Sequence, residues 1–263
     1  MDSIISVSNQ RIKDLAKLLR NRDFRDLTGL FAVEGATLAG EAAESSYRIH
    51  SVFYTDQAYE SYKKEIEYAA AKAGSVFLIT GEIAGKASAL ANGQGIFTVL
   101  EKGDKRELKE FFEKKRVILL DSVRDPSNLG AIARSALAFG FDSMILSPDC
   151  ADRFSPKTQR AAMGALMKIA ATTEDMIPAI KTLRQNGFFV GAAAVNGDSI
   201  FTFTEQKKRK IAVVIGNEAA GLDSETQKIC DAAVTIKTDR RVQSLNAAVA
   251  ASIMMYCLRE GDL

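Results

Sequence analysis

The 263-residue chain is 47% hydrophobic and 26% charged, with a formal net charge of +2, as expected for a soluble globular protein of one large domain or two ordinary ones. That charge is too small to imply a nucleic-acid partner by itself, although local patches still can. The three cysteines, Cys150, Cys230 and Cys257, are far apart and form no CxxC pair, so neither a disulfide framework nor a zinc site is expected, and a reducing cytoplasm fits.

Ser8 or Asn9 can cap a first helix that carries Ile12, Leu15, Leu18 and Leu19 on one face. Its other face and exit carry Arg11, Lys13, Lys17, Arg20, Arg22 and Arg25. A solvated surface accounts for such charges, and contact with an RNA backbone is the sharper reading. Leu30 to Val33 reads as a strand ending in Glu34-Gly35, with a helix following through about Ala43. Ile49 to Tyr54 is a strand, and the single histidine, His50, reads as a residue at its edge, because one histidine cannot build a multi-histidine metal centre. A helix over Gln57 to Ala73, a strand over Val76 to Ile79 and a short helix over Gly81 to Leu90 come next. The turn Asn92-Gly-Gln-Gly95 then feeds a strand over Ile96 to Leu100, completing a compact αβ unit over residues 1–100. Residues 101–116 are dense in charge, with Leu108, Phe111 and Phe112 as apolar anchors; they read as a linker becoming a short surface helix.

Strands and helices alternate through residues 117–263. Val117 to Leu120 is a buried strand ending at Asp121, and Asp125-Pro126 starts a helix that runs to Phe139 and stops at Gly140. Strands are expected over Ser143 to Leu146, Phe188 to Val195, Ile211 to Ile215 and Ala233 to Ile236. Helices are expected over Pro156 to Gly164, Met176 to Gln185, Leu222 to Ile229 and Ser244 to Leu258. Such alternation implies a mainly parallel sheet covered on both faces, with ligands bound beyond the strand carboxyl ends. The longest apolar stretch, Ala247 to Leu258, is too short for a membrane span of ~20 residues. The first residues lack the basic-then-apolar pattern of an export signal.

The strand Ile211 to Ile215 ends on Gly216 and is followed by Asn217, Glu218, two alanines and Gly221. Glycines bracketing a polar tip after a strand let backbone pass close to a ligand, or simply give a turn its conformation. A nucleotide-triphosphate loop is excluded: Leu222 and Asp223 stand where Lys and Ser/Thr are required, and Glu218 would repel phosphate. Near the same rim fall Asn128, Arg134, Glu218, Ser244 and Asn246. Arg134 lies off the buried stripe of Leu129, Ile132, Ala133, Ala136 and Leu137. Taken singly, Arg134 is a solvated helix arginine, and Ser244 and Asn246 are an N-cap and its neighbour.

Together these residues resemble a known family. LLDSVRDPSNLGAIARSALAFGFDSMILS, SPKTQRAAMGAL, VVIGNEAAGL and QSLNAAVAASIMMY are similar, in order and spacing, to the motifs of the SpoU (TrmH-type) branch of the SPOUT RNA methyltransferases, over roughly Val117 to Leu258. TGLFAVEG and NGQGIFTV resemble the ribosomal-protein-like substrate-binding domain often fused to such enzymes. The resemblance implies an α/β fold: a C-terminal SPOUT domain with a mainly parallel sheet and a trefoil knot, and a smaller N-terminal αβ domain. It also implies S-adenosylmethionine as methyl donor, an RNA ribose 2′-hydroxyl as acceptor, and a homodimer through the C-terminal domain whose active site borrows from both subunits. Ribosomal RNA is favoured over transfer RNA, and a catalytically inactive RNA-binding protein of the same fold is the rival from another class. By the same resemblance Gly216, Ile236, Leu245 and Ala194 line the cofactor. Arg134 is then catalytic, with Asn128, Glu218, Ser244 and Asn246 around it; no metal takes part.

A guanidinium with a pKa above ~12 is a poor base, so Arg134 suits electrostatic stabilisation of the attacking oxygen better than proton abstraction. One stretch and one single residue depart from the family pattern. Residues 236–241, Ile-Lys-Thr-Asp-Arg-Arg, replace the usual Ile-Pro-Met-x-Gly run, and Ala162 stands where a serine is frequent.

Overall fold

A computed structural model of the chain describes residues 2–88, 90–103, 106–204, 209–239, 241–242 and 244–259. In chain order the first elements are β1 (Asp2–Ile4), α1 (Gln10–Arg20), α2 (Arg22–Thr28), β2 (Leu30–Glu34), α3 (Ala36–Glu44) and β3 (Ile49–Tyr54). Then come α4 (Asp56–Ser61), α5 (Lys63–Ala70), β4 (Ala73–Ile79), α6 (Gly81–Ala87) and β5 (Ile96–Glu101). There follow β6 (Arg116–Leu120), α7 (Pro126–Ala138), β7 (Ser143–Leu146), α8 (Pro156–Ala162), β8 (Ala170–Thr173), α9 (Met176–Gln185) and β9 (Phe188–Ser199). The chain continues through α10 (Ile200–Phe203), β10 (Lys210–Ile215), α11 (Ser224–Ile229), β11 (Ala232–Thr235) and α12 (Ala247–Leu258). It divides into two compact units: Met1–Asp104 with Asp152–Lys168, and Lys105–Ala151 with Ile169–Leu263. Among the described residues no helix is long and apolar enough to cross a membrane.

The first unit is a five-stranded sheet in the order β1-β4-β3-β5-β2, parallel from β1 to β3 and antiparallel across β3, β5 and β2. Side chains alternate between its faces. Phe31, Val33, Val52 and Tyr54 pack with α3 and α5, whereas Ala32, Phe53, Phe97 and Val99 pack with α1 and α6. Asn9 is the cap of α1, its side chain accepting from the Arg11 amide. One expected helix, Gln57 to Ala73, is two: Tyr62 sits at φ −135° and ψ 39°, outside helical space, and breaks the run. Arg25, read from sequence as part of a solvent-facing basic surface, is 4% exposed and pairs with Asp152 at 2.6 Å while donating to the Leu18 carbonyl at 2.7 Å.

That pair also explains where residues 152–168 belong. Their position between β7 and β8 suggests the second domain, but Phe154 packs on Phe31 with ring centroids 4.8 Å apart, and Met167 joins the same core. Apolar burial in the first unit outweighs chain order. Residues 106–116 likewise are no free linker: Phe111 is buried in the second unit's core beside Val117, Leu119 and Ile180.

The second unit is a fully parallel six-stranded sheet in the order β11-β9-β10-β6-β7-β8. Val117 and Leu119 face α9, and Ile118 and Leu120 alternate to the opposite face. α7 and α12 pack together, with the Ser252 hydroxyl donating to Ser135 Oγ at 2.7 Å. The short strand β8 escapes sequence reading because Ala-Ala-Thr-Thr carries no apolar alternation. Between β9 and β11 the register jumps: Ala192 faces Ala233 and Asp198 faces Val234, so residues 193–197 leave the ladder as an excursion. The Thr235 hydroxyl donates to the Val195 carbonyl at 2.9 Å and holds that excursion against the end of β11.

Candidate active site

Strands β11, β9, β10 and β6 are adjacent and parallel, so their carboxyl ends share one edge, with neighbours about 4.8 Å apart. That edge carries Ile236 just past β11, Ala194 in the excursion of β9, Gly216 just past β10 and Asp121 just past β6. Ile236, Ala194 and Leu245 are each half-buried apolar side chains.

After Gly216 the chain turns back on itself. The Asn217 amide donates to the Gly221 carbonyl at 3.1 Å, and the Gly221 amide donates to the Asn217 carbonyl at 2.9 Å. Gly216 must be glycine, because a Cβ there would lie 2.4 Å from the Gly221 carbonyl carbon and 2.5 Å from the Leu222 nitrogen. Asn217 braces the tip: its Oδ1 accepts from the amides of Ala219 and Ala220, both at 3.0 Å, and its Nδ2 donates to the Ser122 carbonyl at 2.9 Å. Sequence reading noticed this amide but gave it no role.

Glu218, at the tip, is joined to α7 and α12. Asn128 Nδ2 donates to Glu218 Oε1 at 2.9 Å, and Asn246 Nδ2 donates to Asn128 Oδ1 at 2.9 Å. Asp125 is the N-cap of α7, accepting from the Ser127 and Asn128 amides, while its own amide donates to Glu218 Oε1 at 3.3 Å. Burial pushes the Glu218 carboxyl up, but hydrogen bonds from Asn128 and from the main-chain amides of Glu218, Asp125 and Arg124 prevail, so its pKa is lowered. Glu218 is therefore a carboxylate at neutral pH and a weak base.

The structure brings together three of the five polar candidates, Asn128, Glu218 and Asn246. Ser244 is exposed and outside this network. Asn246, not Ser244, caps α12, accepting from the amides of Ala248 and Val249. Gln243, the first residue of the QSLNA stretch, lies outside the described residues. Arg134 is exposed and, among the described residues, pairs with no carboxylate or carbonyl. Six residues along α7 place it about 120° around the axis from Asn128 and about 9 Å further along it.

A second network under the same edge was invisible in the sequence. Ser122 adopts φ +60°, a left-handed conformation costly for a non-glycine residue. Its amide donates to Ser147 Oγ at 2.8 Å, and its hydroxyl donates to Asp149 Oδ2 at 2.7 Å. Asp149 also accepts from the Ser147 hydroxyl at 2.6 Å and from Arg124 at 3.1 Å. The Ser147 hydroxyl is the largest influence, and with Ser122 and Arg124 it draws the Asp149 pKa down to about 2 against some burial. A depressed carboxyl pKa stabilises the fold above its unfolded value, 3.8, and that contribution is lost as pH falls through about 2. Urea denaturation should accordingly find Asp149→Asn less stable than wild type at pH 7, with the gap closing between about pH 4 and pH 2; a gap constant over that range would contradict this assignment.

The SpoU rRNA Methylase family matches residues 115–256, more than half of the chain. The chain belongs to the SpoU family. It is an S-adenosylmethionine-dependent RNA methyltransferase. Residues 9–98 match the MRM3-like substrate binding domain. The SpoU chain is 27% identical over 259 residues to the 23S rRNA (guanosine(2553)-2′-O)-methyltransferase RlmP of Bacillus subtilis, covering 98% of this chain and 100% of that protein. It is 34% identical over 174 residues to slr0955 of Synechocystis, an uncharacterized tRNA/rRNA methyltransferase, covering 63% of this chain and 45% of that one. The crystal structure of an AdoMet-bound rRNA methyltransferase from Sinorhizobium meliloti superposes with a TM-score of 0.86 at 28% identity, covering 98% of this chain and 97% of that one.

Proposed function

We propose that this SpoU enzyme methylates a ribose 2′-hydroxyl of ribosomal RNA in the cytoplasm, in a site completed by a second copy of the chain. The observation that carries this reading is the Asn128–Glu218–Asn246 network beside the closed Gly216–Gly221 loop. RlmP, a relative over nearly the whole chain, bears the name of a 23S rRNA 2′-O-methyltransferase. Transfer RNA is the second reading, since slr0955 carries both RNA names.

The residues at the edge suit the donor. Ile236, Leu245 and Ala194 offer half-buried apolar surface for an adenosine, the backbone around Gly216 and Leu245 offers polar groups for its edge, and Glu218 favours a positive sulfonium nearby. Bound there, S-adenosylmethionine supplies an electrophilic methyl group for in-line attack. Everything else falls to the protein. Asn128, donating to Glu218 and accepting from Asn246, has its amide orientation fixed and ties the cofactor loop to the starts of α7 and α12. Glu218 acts as a positioning residue, its lowered pKa making it a weak base.

Arg134 is the catalytic residue in this reading, a permanent cation that stabilises negative charge developing on the ribose oxygen. The proton then passes to water or to a substrate phosphate. The offset of Arg134 from Asn128 around α7 supports a site in which it serves the partner. The surface of α12 supports such a dimer: apart from Ser252 the helix is mainly apolar, yet Val249 and Tyr256, seven residues apart on one face, are 47% and 51% exposed. Val195 of the excursion, 71% exposed, is a further apolar residue at the strand edge. The trefoil knot belongs to the same reading, supported by family membership and the all-parallel sheet. Mapping ribose methylation in ribosomal and transfer RNA from cells with and without this protein tests the substrate. Loss of one ribosomal 2′-O-methyl mark is expected, and loss confined to transfer RNA would overturn the ribosomal assignment.

A further inference from the structure

Glu34-Gly35 and Asn92-Gly-Gln-Gly95 lie outside the residues 115–256 that match the SpoU family, and the first unit's sheet brings them together. Antiparallel pairing of β2 with β5 places Glu34 opposite Phe97, and the Gly35 amide donates to the Ile96 carbonyl at 3.0 Å. Gly35 gives α3 no side-chain cap, and Gln94 takes over: its Oε1 accepts from the Ala36 amide at 2.9 Å, while its Nε2 donates to the Tyr62 hydroxyl at 2.8 Å. A Cβ at Gly93 would lie 2.3 Å from Glu34 Oε1 and 2.7 Å from Ser88 Oγ, so the buried Glu34–Ser88 pair would have to shift. Gly95 is required because φ is +69° and a Cβ would meet Thr55 Oγ1 at 2.7 Å.

Over this turn opens a cleft of about 520 Å³, whose polar lining includes Thr55, Gln57, Tyr62, Ser88, Asn92 and Gln94. We propose that this cleft holds one unstacked base of the RNA substrate. The proposal rests on the enzyme's being an RNA methyltransferase and adds the place where the first unit reads its RNA. The volume suits a single nucleotide-sized ligand. Side-chain amides and hydroxyls, which both donate and accept, match the mixed edge of a base, and the half-buried Tyr62, packed on the core, brings an aromatic ring to the lining. A phosphate fits poorly. Glu34, 4% exposed, lies beneath the turn; its Oε1 accepts from the Ser88 hydroxyl at 2.5 Å and its Oε2 has no partner. No lysine or arginine is among the residues lining the cleft, so a phosphodiester would find no counter-charge there and a neutral base is favoured. Beside Ser88, the exposed Arg20 donates to the carbonyls of Lys86 and Ser88, both at 3.0 Å, and sets a cation where the backbone can run past.

The test uses the full chain with ribosomal RNA and S-adenosylmethionine. Tyr62→Ala is expected to raise KM for RNA about tenfold, the usual weight of one base stack, with kcat at saturating RNA and affinity for S-adenosylmethionine within about twofold. Tyr62→Phe, which keeps the ring, should recover most of the loss, and Gln57→Ala with Asn92→Ala should raise KM without touching the core. Ultraviolet cross-linking followed by peptide mapping should place RNA on Tyr62 or on residues 92–94. An unchanged KM in both Tyr62→Ala and the Gln57/Asn92 double variant, with cross-links elsewhere, overturns the cleft. Should wild type bind RNA without methylating it, the proposed reaction fails while the cross-link still decides the cleft.

Discussion

Replacing Arg134 with alanine is expected to lower kcat by about a hundred- to a thousandfold while leaving S-adenosylmethionine affinity within about twofold. Removing one preorganised donor from a developing oxyanion costs that much, on the order of 3–4 kcal/mol of barrier. The side chain is exposed, engages no other described residue and sits on the outer side of α7, so the fold should lose little with it. Steady-state rates at saturating RNA, with calorimetry for the cofactor, separate the two effects. Arg134→Lys is the sharper variant. It preserves charge but loses the planar fork, and should retain at most about a tenth of the rate. Near-normal turnover in that variant would mean that charge alone suffices and that no oxygen is held by a guanidinium.

Gly216→Ala should act in the opposite way, on the cofactor rather than the rate. The added Cβ would lie 2.4–2.5 Å from three backbone atoms of Gly221 and Leu222. Backbone cannot yield as a side-chain end can, so the loop must open, at a cost of about 1–3 kcal/mol. Opening breaks the paired Asn217 and Gly221 hydrogen bonds and carries Glu218 away from Asn128. Affinity for S-adenosylmethionine is expected to fall about a hundredfold. Gly221→Ala is the control: its Cβ meets nothing within 4 Å, and only the φ of +70° resists it, for about 1 kcal/mol. Equal cofactor losses in the two variants would show that loop strain, not the close approach at residue 216, governs binding.

Most of the fold could be read from local signals with strong physical causes. Asp125-Pro126 is cap and N1 proline of α7 as its sequence demands, and Val117 to Leu120 is the buried strand its β-branched and leucine run implies. What escaped depends on distant partners. Residues 152–168 follow the apolar pull of Phe31, a residue more than a hundred positions away that no local pattern reveals. Arg25 looks like any surface arginine until Asp152 meets it. Ser122 gives no warning of a left-handed φ, since serine lacks glycine's freedom and the conformation is held by Ser147 and Asp149. In the site, Asn128, Glu218 and Asn246 converge as a helix start, a strand end and a second helix start must in a parallel sheet. Arg134 was placed at the same rim, but helical geometry separates it from Asn128 by a third of a turn. That separation is why the proposed site draws on a second chain.

Mixing inactive subunits tests that need directly. Arg134→Ala keeps an intact cofactor loop, and Gly216→Ala keeps an intact Arg134. With S-adenosylmethionine near the wild-type Kd, where the roughly hundredfold weaker Gly216→Ala loop stays almost empty, each variant alone should be nearly silent. If Arg134 serves the partner's site, a mixed dimer contains one complete site, built from the loop of one chain and the guanidinium of the other. Unfolding and refolding the two variants together should then restore methyl transfer to about a quarter of the wild-type rate, half the dimers being mixed with one working site each. Mixed dimers, verified by differential tags, that show no more activity than either parent would contradict the account.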